Sequence, residues 1–242
     1  MLRILRPIPV ESLKLLVFDL DGTLIDSAQD LCNSVNATLT HFGRPTLDDA
    51  TIASYIGNGA LTLVRRSFES DGGIPSEDFL QGAYRFFLDY YREHNLDFTR
   101  AYDGVLESLA ALRTMQRDPG VERVMAVLTN KPVKPARAIC EGLGLAPYFI
   151  NIYGGNSFAS KKPDPEGMFA IMREANANPE ETVMIGDSQV DVQTARNAGT
   201  WCIGCTFGLQ PQTLEIVPPD ILVDSPTGWT AALSPANVGI RL

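Results

Sequence analysis

Ten residues near the start of the chain, Phe18-Asp-Leu-Asp-Gly-Thr-Leu-Ile-Asp-Ser27, constrain its fold more than any other stretch. They overlap a short apolar run, Leu13, Leu15, Leu16, Val17 and Phe18, that is ended by an Asp and a Gly. A run of that length and punctuation predicts a buried strand opening into a loop. Asp19 and Asp21 then lie at the carboxyl end of that strand, the edge of an open α/β sheet where ligands bind. Two carboxylates two residues apart repel each other and resist desolvation unless a cation or a shared proton compensates them. Gly22 permits a tight turn, and Thr23 offers a hydroxyl and an amide toward the same mouth. Asp-Gly alone is ordinary turn chemistry, so the remainder of the chain must decide between a turn and a site.

Beyond this stretch, apolar residues at helical spacing (Ala28, Leu31, Cys32, Val35, Leu39, Phe42) predict a helix that Gly43 stops. Residues 48–68 read as one or two short helices interrupted by Gly57-Asn58-Gly59, and 77–94 as a longer one. About 70 residues of helix after a single strand predict an inserted helical domain. Alternation follows: helices over 103–115, 132–143, 165–175, 190–198 and 226–233, with strands over 123–129, 149–153, 182–187, 200–205 and 220–223. Strands alternating with helices imply a parallel sheet covered on both faces. The expected fold is therefore α/β, a Rossmann-like parallel sheet core with an inserted all-helical cap. The core takes 1–27 and 100–242, the cap 28–99, and residues 1–11 and 235–242 are expected to be loosely held.

Composition narrows the function classes. A net charge of −9 argues against nucleic acid as a partner. No apolar stretch approaches the roughly 20 residues that a membrane helix requires. Met1 to Val10 lack the apolar block and cleavage site of a secretory signal, so a cytoplasmic location is expected, as a monomer or homodimer. Cys202 and Cys205 have CxxC spacing, but the chain offers only Cys32, Cys140, His41 and His94 besides. Buried core cysteines are the expected reading, rather than a metal or redox site.

Three further strand ends carry polar groups toward the same sheet edge: Thr129 and Asn130, Lys162 in Ser160-Lys-Lys-Pro-Asp-Pro165, and Gly186-Asp-Ser-Gln-Val-Asp191. With Asp19-Leu-Asp-Gly-Thr23, these four stretches resemble, in order, the four signatures of the haloacid dehalogenase superfamily in its phosphatase form. The resemblance implies Asp19 as nucleophile and Asp21 as general acid/base. It gives Thr129 and Lys162 to the transferring phosphoryl group. The implied cofactor is Mg²⁺, held by Asp19, the carbonyl of Asp21 and Asp187. Gly22, Thr23, Asn130, Ser188 and Asp191 would form the phosphate cradle and outer shell, Asp191 acting through water or Lys162. Lys161, beside Lys162, reads as a solvated surface group.

The insertion after the first signature is where one group of these enzymes carries its lid. Tyr55-Ile-Gly-Asn-Gly-Ala60 and Leu128-Thr-Asn-Lys-Pro132 resemble the phosphoglycolate phosphatases, which implies a small anionic phosphoester as substrate. Gly57 and Gly59 would allow the lid backbone close to a small ligand, and Asn58 could donate to its carboxylate. Arg65 and Arg66 are second candidates for that carboxylate, with a solvated surface role favoured. Asp21 argues for phosphoryl transfer over dehalogenation. The absence of any Lys between Lys14 and Lys131 removes the Schiff-base chemistry of a phosphonoacetaldehyde hydrolase. Sugar phosphates, nucleotides, pyrophosphate and a phosphomutase reaction stay open, as does a metal-binding regulatory protein without turnover.

Overall fold

The structure, a computed structural model, describes residues 2–70, 73, 76–115 and 123–234. In chain order, β1 (Leu2–Ile4) and β2 (Leu15–Phe18) precede a short β3 (Ile25–Asp26). Four helices follow, α1 (Ala28–His41), α2 (Asp49–Ala53), α3 (Ala60–Glu69) and α4 (Glu77–His94), and then β4 (Arg100–Ala101). Next come α5 (Val105–Thr114), β5 (Val124–Leu128), α6 (Val133–Gly142), β6 (Ile152–Tyr153) and α7 (Glu166–Glu174). The chain continues with β7 (Thr182–Gly186), α8 (Gln189–Ala198), β8 (Trp201–Cys205), β9 (Ile221–Val223) and α9 (Gly228–Ala232).

The described residues form one seven-stranded sheet in the order β1-β9-β8-β7-β2-β5-β6, parallel throughout except for β1. The strands read as unbroken apolar runs because both faces are covered. Leu15, Val17, Ala126, Leu128 and Met184 pack on one side with Met168 and Ile171 of α7 and Val192 and Ala195 of α8. Leu16, Phe18, Met125, Val127 and Ile185 pack on the other with Leu109 of α5, Ile139 of α6 and Trp229 of α9. That second core runs on into the helical insertion through Leu39, Phe68 and Phe87. Within the insertion Phe42 stands edge-on to Phe68 and Phe79, with centroids 6.1 and 5.2 Å apart. The α/β core with an inserted helical unit is thus present as the sequence predicts.

One expectation is corrected. Residues 2–11 are tied down: β1 pairs antiparallel with β9, and Ile8 and Val10 are buried. Arg3, Arg6, Pro7 and Pro9 break up the apolar residues of this segment, and the pairing depends on a strand more than 200 residues away. Asp220 supplies the clasp, accepting hydrogen bonds from Arg6 Nε (2.5 Å), Arg196 and the Cys202 N–H. The structure adds a two-stranded antiparallel ribbon, β3 with β4, at the root of the insertion. Pairs of two residues give no periodicity to read. Asp30 braces this root, its buried carboxylate accepting from the N–H groups of Phe98 and Thr99 and from Thr99 Oγ1. Residues 235–242 lie outside the described residues.

Candidate active site

Register brings the polar strand ends together. Phe18 pairs with Val127 on one side and Ile185 on the other, so Asp19, Thr129 and Asp187 leave three adjacent parallel strands at one edge. The carboxylate oxygens of Asp19, Asp187 and Asp191 lie within 4.8 Å of one another, and all three residues are buried. Lys162 Nζ reaches between them, 2.9 Å from Asp19 Oδ1 and 2.6 Å from Asp191 Oδ1. Asp191 Oδ2 accepts from Ser188 N and Oγ at the start of α8. Asp187 Oδ2 accepts from the N–H groups of Leu209 and Gln210 at 2.7 and 3.0 Å.

One lysine cannot balance three buried carboxylates. Burial pushes Asp19 up to about 6, with the Lys162 charge opposing and the Asp191 charge adding to the rise. Burial, then the charges of Asp191 and Asp19, push Asp187 up to about 8. Burial alone would pull Lys162 down, but Asp19 and Asp191 hold its ammonium above the ordinary lysine range. Asp19 Oδ1 is buried without a well-directed hydrogen bond. An all-oxygen cluster with a surplus of negative charge fits a hard divalent cation. The backbone leaves no spare room behind it: a Cβ on Gly22, at φ +82°, would lie 2.2 Å from Asp187 Oδ2.

Asp21 stands apart from the cluster. Its Oδ1 accepts from Ser27 Oγ at 2.5 Å and from Lys131 Nζ at 2.8 Å. It faces a cavity of about 40 Å³ between the sheet edge and the helical insertion. Asp19, Asp21, Thr129, Asn130 and Lys131 line the floor, and Ile56, Gly57, Gly59, Leu63, Phe87 and Tyr91 line the roof.

The structure brings most of the sequence-predicted residues to this place. Thr129 lines the cavity and its Oγ1 accepts the Lys131 N–H. Asn130 Nδ2 donates to the carbonyls of Gly57 and Lys162, both at 3.1 Å. Gly57 and Gly59 line the roof with φ of +103° and +88°. Thr23 does not face the mouth: it is fully buried, its N–H donating to Leu20 O and its Oγ1 without a partner. Asn58 is not among the lining residues, and its carbonyl accepts from Lys161 Nζ at 2.6 Å. Lys161 is therefore a contact between sheet edge and insertion, and not only a solvated group. Arg65 pairs with Glu77 at 2.9 Å on the surface, and neither Arg65 nor Arg66 lines the cavity. Cys202 and Cys205 are buried thiols, the latter accepting from Trp229 Nε1.

Lys131, Tyr91 and Gln210 were not legible as site residues. Lys131 had the clearest signal, standing one residue past Asn130 at a strand end already known to face the mouth. Tyr91 and Gln210 sit in a helix and a loop whose apposition only the fold supplies.

Comparison with known proteins agrees with this geometry. The family described as "Haloacid dehalogenase-like hydrolase" matches residues 16–205. A Pseudomonas putida protein named phosphoglycolate phosphatase is 35% identical over 234 residues, covering 95% of this chain and 83% of that protein. A Vibrio parahaemolyticus protein of the same name is 33% identical, covering 89% of this chain and 93% of its own length. Among solved structures, a predicted phosphoglycolate phosphatase from Haemophilus somnus superposes with a TM-score of 0.84. It is 30% identical, with 92% of this chain and 99% of that one covered. No described helix is long and apolar enough to cross a membrane. With the acid cluster, the order of strand ends and these relatives in agreement, the chain belongs to the haloacid dehalogenase-like hydrolases, among their phosphatases.

Proposed function

We propose that this chain hydrolyses 2-phosphoglycolate to glycolate and phosphate, with Mg²⁺ as cofactor and an aspartyl-phosphate on Asp19 as intermediate. The observation that carries the reading is the different company of two carboxylates two residues apart. Asp19 lies in the buried acid cluster against Lys162, whereas Asp21 lies outside it, held toward the cavity by Ser27 and Lys131. Environments that separate two carboxylates in this way separate a nucleophile from an acid/base.

Asp19, Asp187 and the main-chain carbonyl of Asp21 would hold the cation. When bound, Mg²⁺ offsets the charge that would keep a carboxylate from a phosphate dianion. Asp191 has both oxygens committed to Lys162 and Ser188 and acts by fixing them. Asp19 oxygen forms a bond to phosphorus as the ester P–O bond breaks, and Asp21 delivers its proton to the departing alkoxide. Asp21 then takes a proton from the water that cleaves the aspartyl-phosphate. Thr129, Lys162 and the backbone N–H of Asn130 stabilise the charge on the transferring group, the N–H groups of Gly22 and Thr23 being committed to the carbonyls of Ile25 and Leu20. Residues 28–99 act as a lid over the core of 1–27 and 100–242. The narrow cavity under Ile56, Leu63 and Phe87 supports a small ester over a nucleotide. The names of the relatives support the same substrate.

Phosphate release from 2-phosphoglycolate, sugar phosphates, nucleotides and pyrophosphate, with Mg²⁺ and with chelator, tests the reading. Turnover should require Mg²⁺ and be fastest on 2-phosphoglycolate, and Asp19→Asn should lower it by about 10³-fold or more. Preference for another ester discards the substrate, and an active Asp19→Asn discards the nucleophile.

A further inference from the structure

The cavity contains a cation that the phosphoryl chemistry leaves unused. Lys131 is the only Lys, Arg or His among the described residues that line it, and it is 5% exposed. Its Nζ lies 2.8 Å from Asp21 Oδ1 and 4.7 Å from the centre of the Tyr91 ring. An ammonium has three N–H donors; Asp21 takes one in a well-directed hydrogen bond, and the Tyr91 hydroxyl is the other oxygen beside it. Tyr91 reaches the same space from α4 in the roof, 2% exposed, its hydroxyl close to Lys131 and without a well-directed hydrogen bond among the described residues, so its proton has no acceptor there. Burial pushes the phenol up to about 12, with the Lys131 charge opposing, so it is a donor at neutral pH. A buried donor without an acceptor is costly unless something arrives to accept it. The neighbouring walls, Leu31, Leu63 and Phe87, offer no such group.

Position then selects the ligand. On the reading above, on which this step rests, Asp21 touches the ester oxygen of the substrate. In a phosphorylated 2-hydroxy acid the carboxylate carbon is two bonds from that oxygen. A cation in contact with Asp21 therefore stands where such a carboxylate falls, and where the more distant anionic group of a longer ester does not. We infer that Lys131 Nζ and the Tyr91 hydroxyl form a carboxylate subsite, one donor from the sheet edge and one from the helical lid, that selects short phosphorylated hydroxy acids. A carboxylate bound there accepts a charge-assisted hydrogen bond from Lys131 and a neutral one from Tyr91, and so draws α4 onto the core.

The test compares kcat/KM for 2-phosphoglycolate with that for 2-hydroxyethyl phosphate, which keeps the ester and replaces the carboxylate by a neutral hydroxyl terminus. Lys131→Met should lower the ratio roughly 100-fold and Tyr91→Phe about 10-fold, with Lys131→Arg restoring most of the selectivity. Equal losses on both esters in Lys131→Met, with an unchanged ratio in Tyr91→Phe, overturn the subsite and leave Lys131 as a prop for Asp21. Should Lys131→Met fail to fold, Tyr91→Phe removes a single oxygen and decides alone. If the wild type turns over p-nitrophenyl phosphate but not 2-phosphoglycolate, the substrate reading fails and the subsite is read from glycolate as competitive inhibitor. An inhibition constant raised about tenfold in both variants sustains the subsite, and an unchanged one sinks it.

Discussion

Three carboxylates within 4.8 Å of one another, with one buried lysine between them, make the geometry of the cluster sensitive to single atoms. Gly22 and Gly43 show how. Both have positive φ, +82° and +68°, so replacing either by Ala costs about 1–2 kcal/mol of backbone strain. A Cβ at Gly43 meets nothing within 4 Å, whereas at Gly22 it would meet Asp187 Oδ2 at 2.2 Å. Gly22→Ala should therefore raise the Mg²⁺ concentration for half-maximal phosphate release at least about tenfold, and Gly43→Ala should leave it alone. Equal Mg²⁺ requirements in the two variants would mean that the glycine serves the turn and not the cluster. At this scale the sequence was informative where a strand ends. Asp19 and Asp187 could be read because each closes an unbroken apolar run, while Asp30 and Asp220, equally buried, sit in surroundings without such a boundary.

The helical insertion is held to the sheet edge by its own main chain. Gln210 Nε2 donates to the carbonyls of Ser54 and Ile56, Asn130 Nδ2 to that of Gly57, and Lys161 Nζ to that of Asn58. Gln210 also donates its backbone N–H to Asp187, so one residue touches both a candidate metal ligand and the loop of the lid. Carbonyls accept whatever the side chain of their residue, which is why Tyr55 to Ala60 suggested a ligand-facing loop and gave no sign of this grip. A double variant, Gln210→Ala with Lys161→Ala, keeps the backbone donor to Asp187 and removes three of the four side-chain contacts. At roughly 0.5–1 kcal/mol per partly exposed hydrogen bond, the closed state should lose about 1.5–3 kcal/mol, enough to raise KM about tenfold or more. Amide exchange over 54–60 should quicken in the same variant. Unchanged KM and exchange would show that packing of Ile56 and Leu63, and not the polar grip, keeps the lid down.

At the scale of the whole molecule, the sheet is closed on one side by a segment whose position near the start of the chain predicts a loose end. Asp220, immediately before β9, ties together β1, β8 and α8 through Arg6, the Cys202 N–H and Arg196. The alternation of helices and strands was enough to predict the parallel core, because each parallel strand buried on both faces declares itself locally. An antiparallel edge strand of three residues pairs through a partner at the other end of the chain and declares nothing. The clasp has a pH signature. Burial alone would raise the Asp220 carboxyl, but the hydrogen bonds from Arg196, Arg6 and Cys202 outweigh it and hold the group below its ordinary value. A carboxyl depressed on folding contributes stability in full above its unfolded value of about 3.9 and loses it as pH falls through the folded value. Asp220→Asn should cost about 2 kcal/mol at neutral pH, where it leaves Arg196 and Arg6 without a counter-charge. That deficit should shrink as pH falls from about 4 toward 3, because the unfolded wild-type chain takes up a proton on Asp220 there while the folded carboxyl, held below its ordinary value, does so only at lower pH. Urea unfolding of both proteins across that range measures the gap. A deficit that stays constant with pH would assign Asp220 to packing and hydrogen bonding alone, and the ion pairs of the clasp to the surface charges that contribute little.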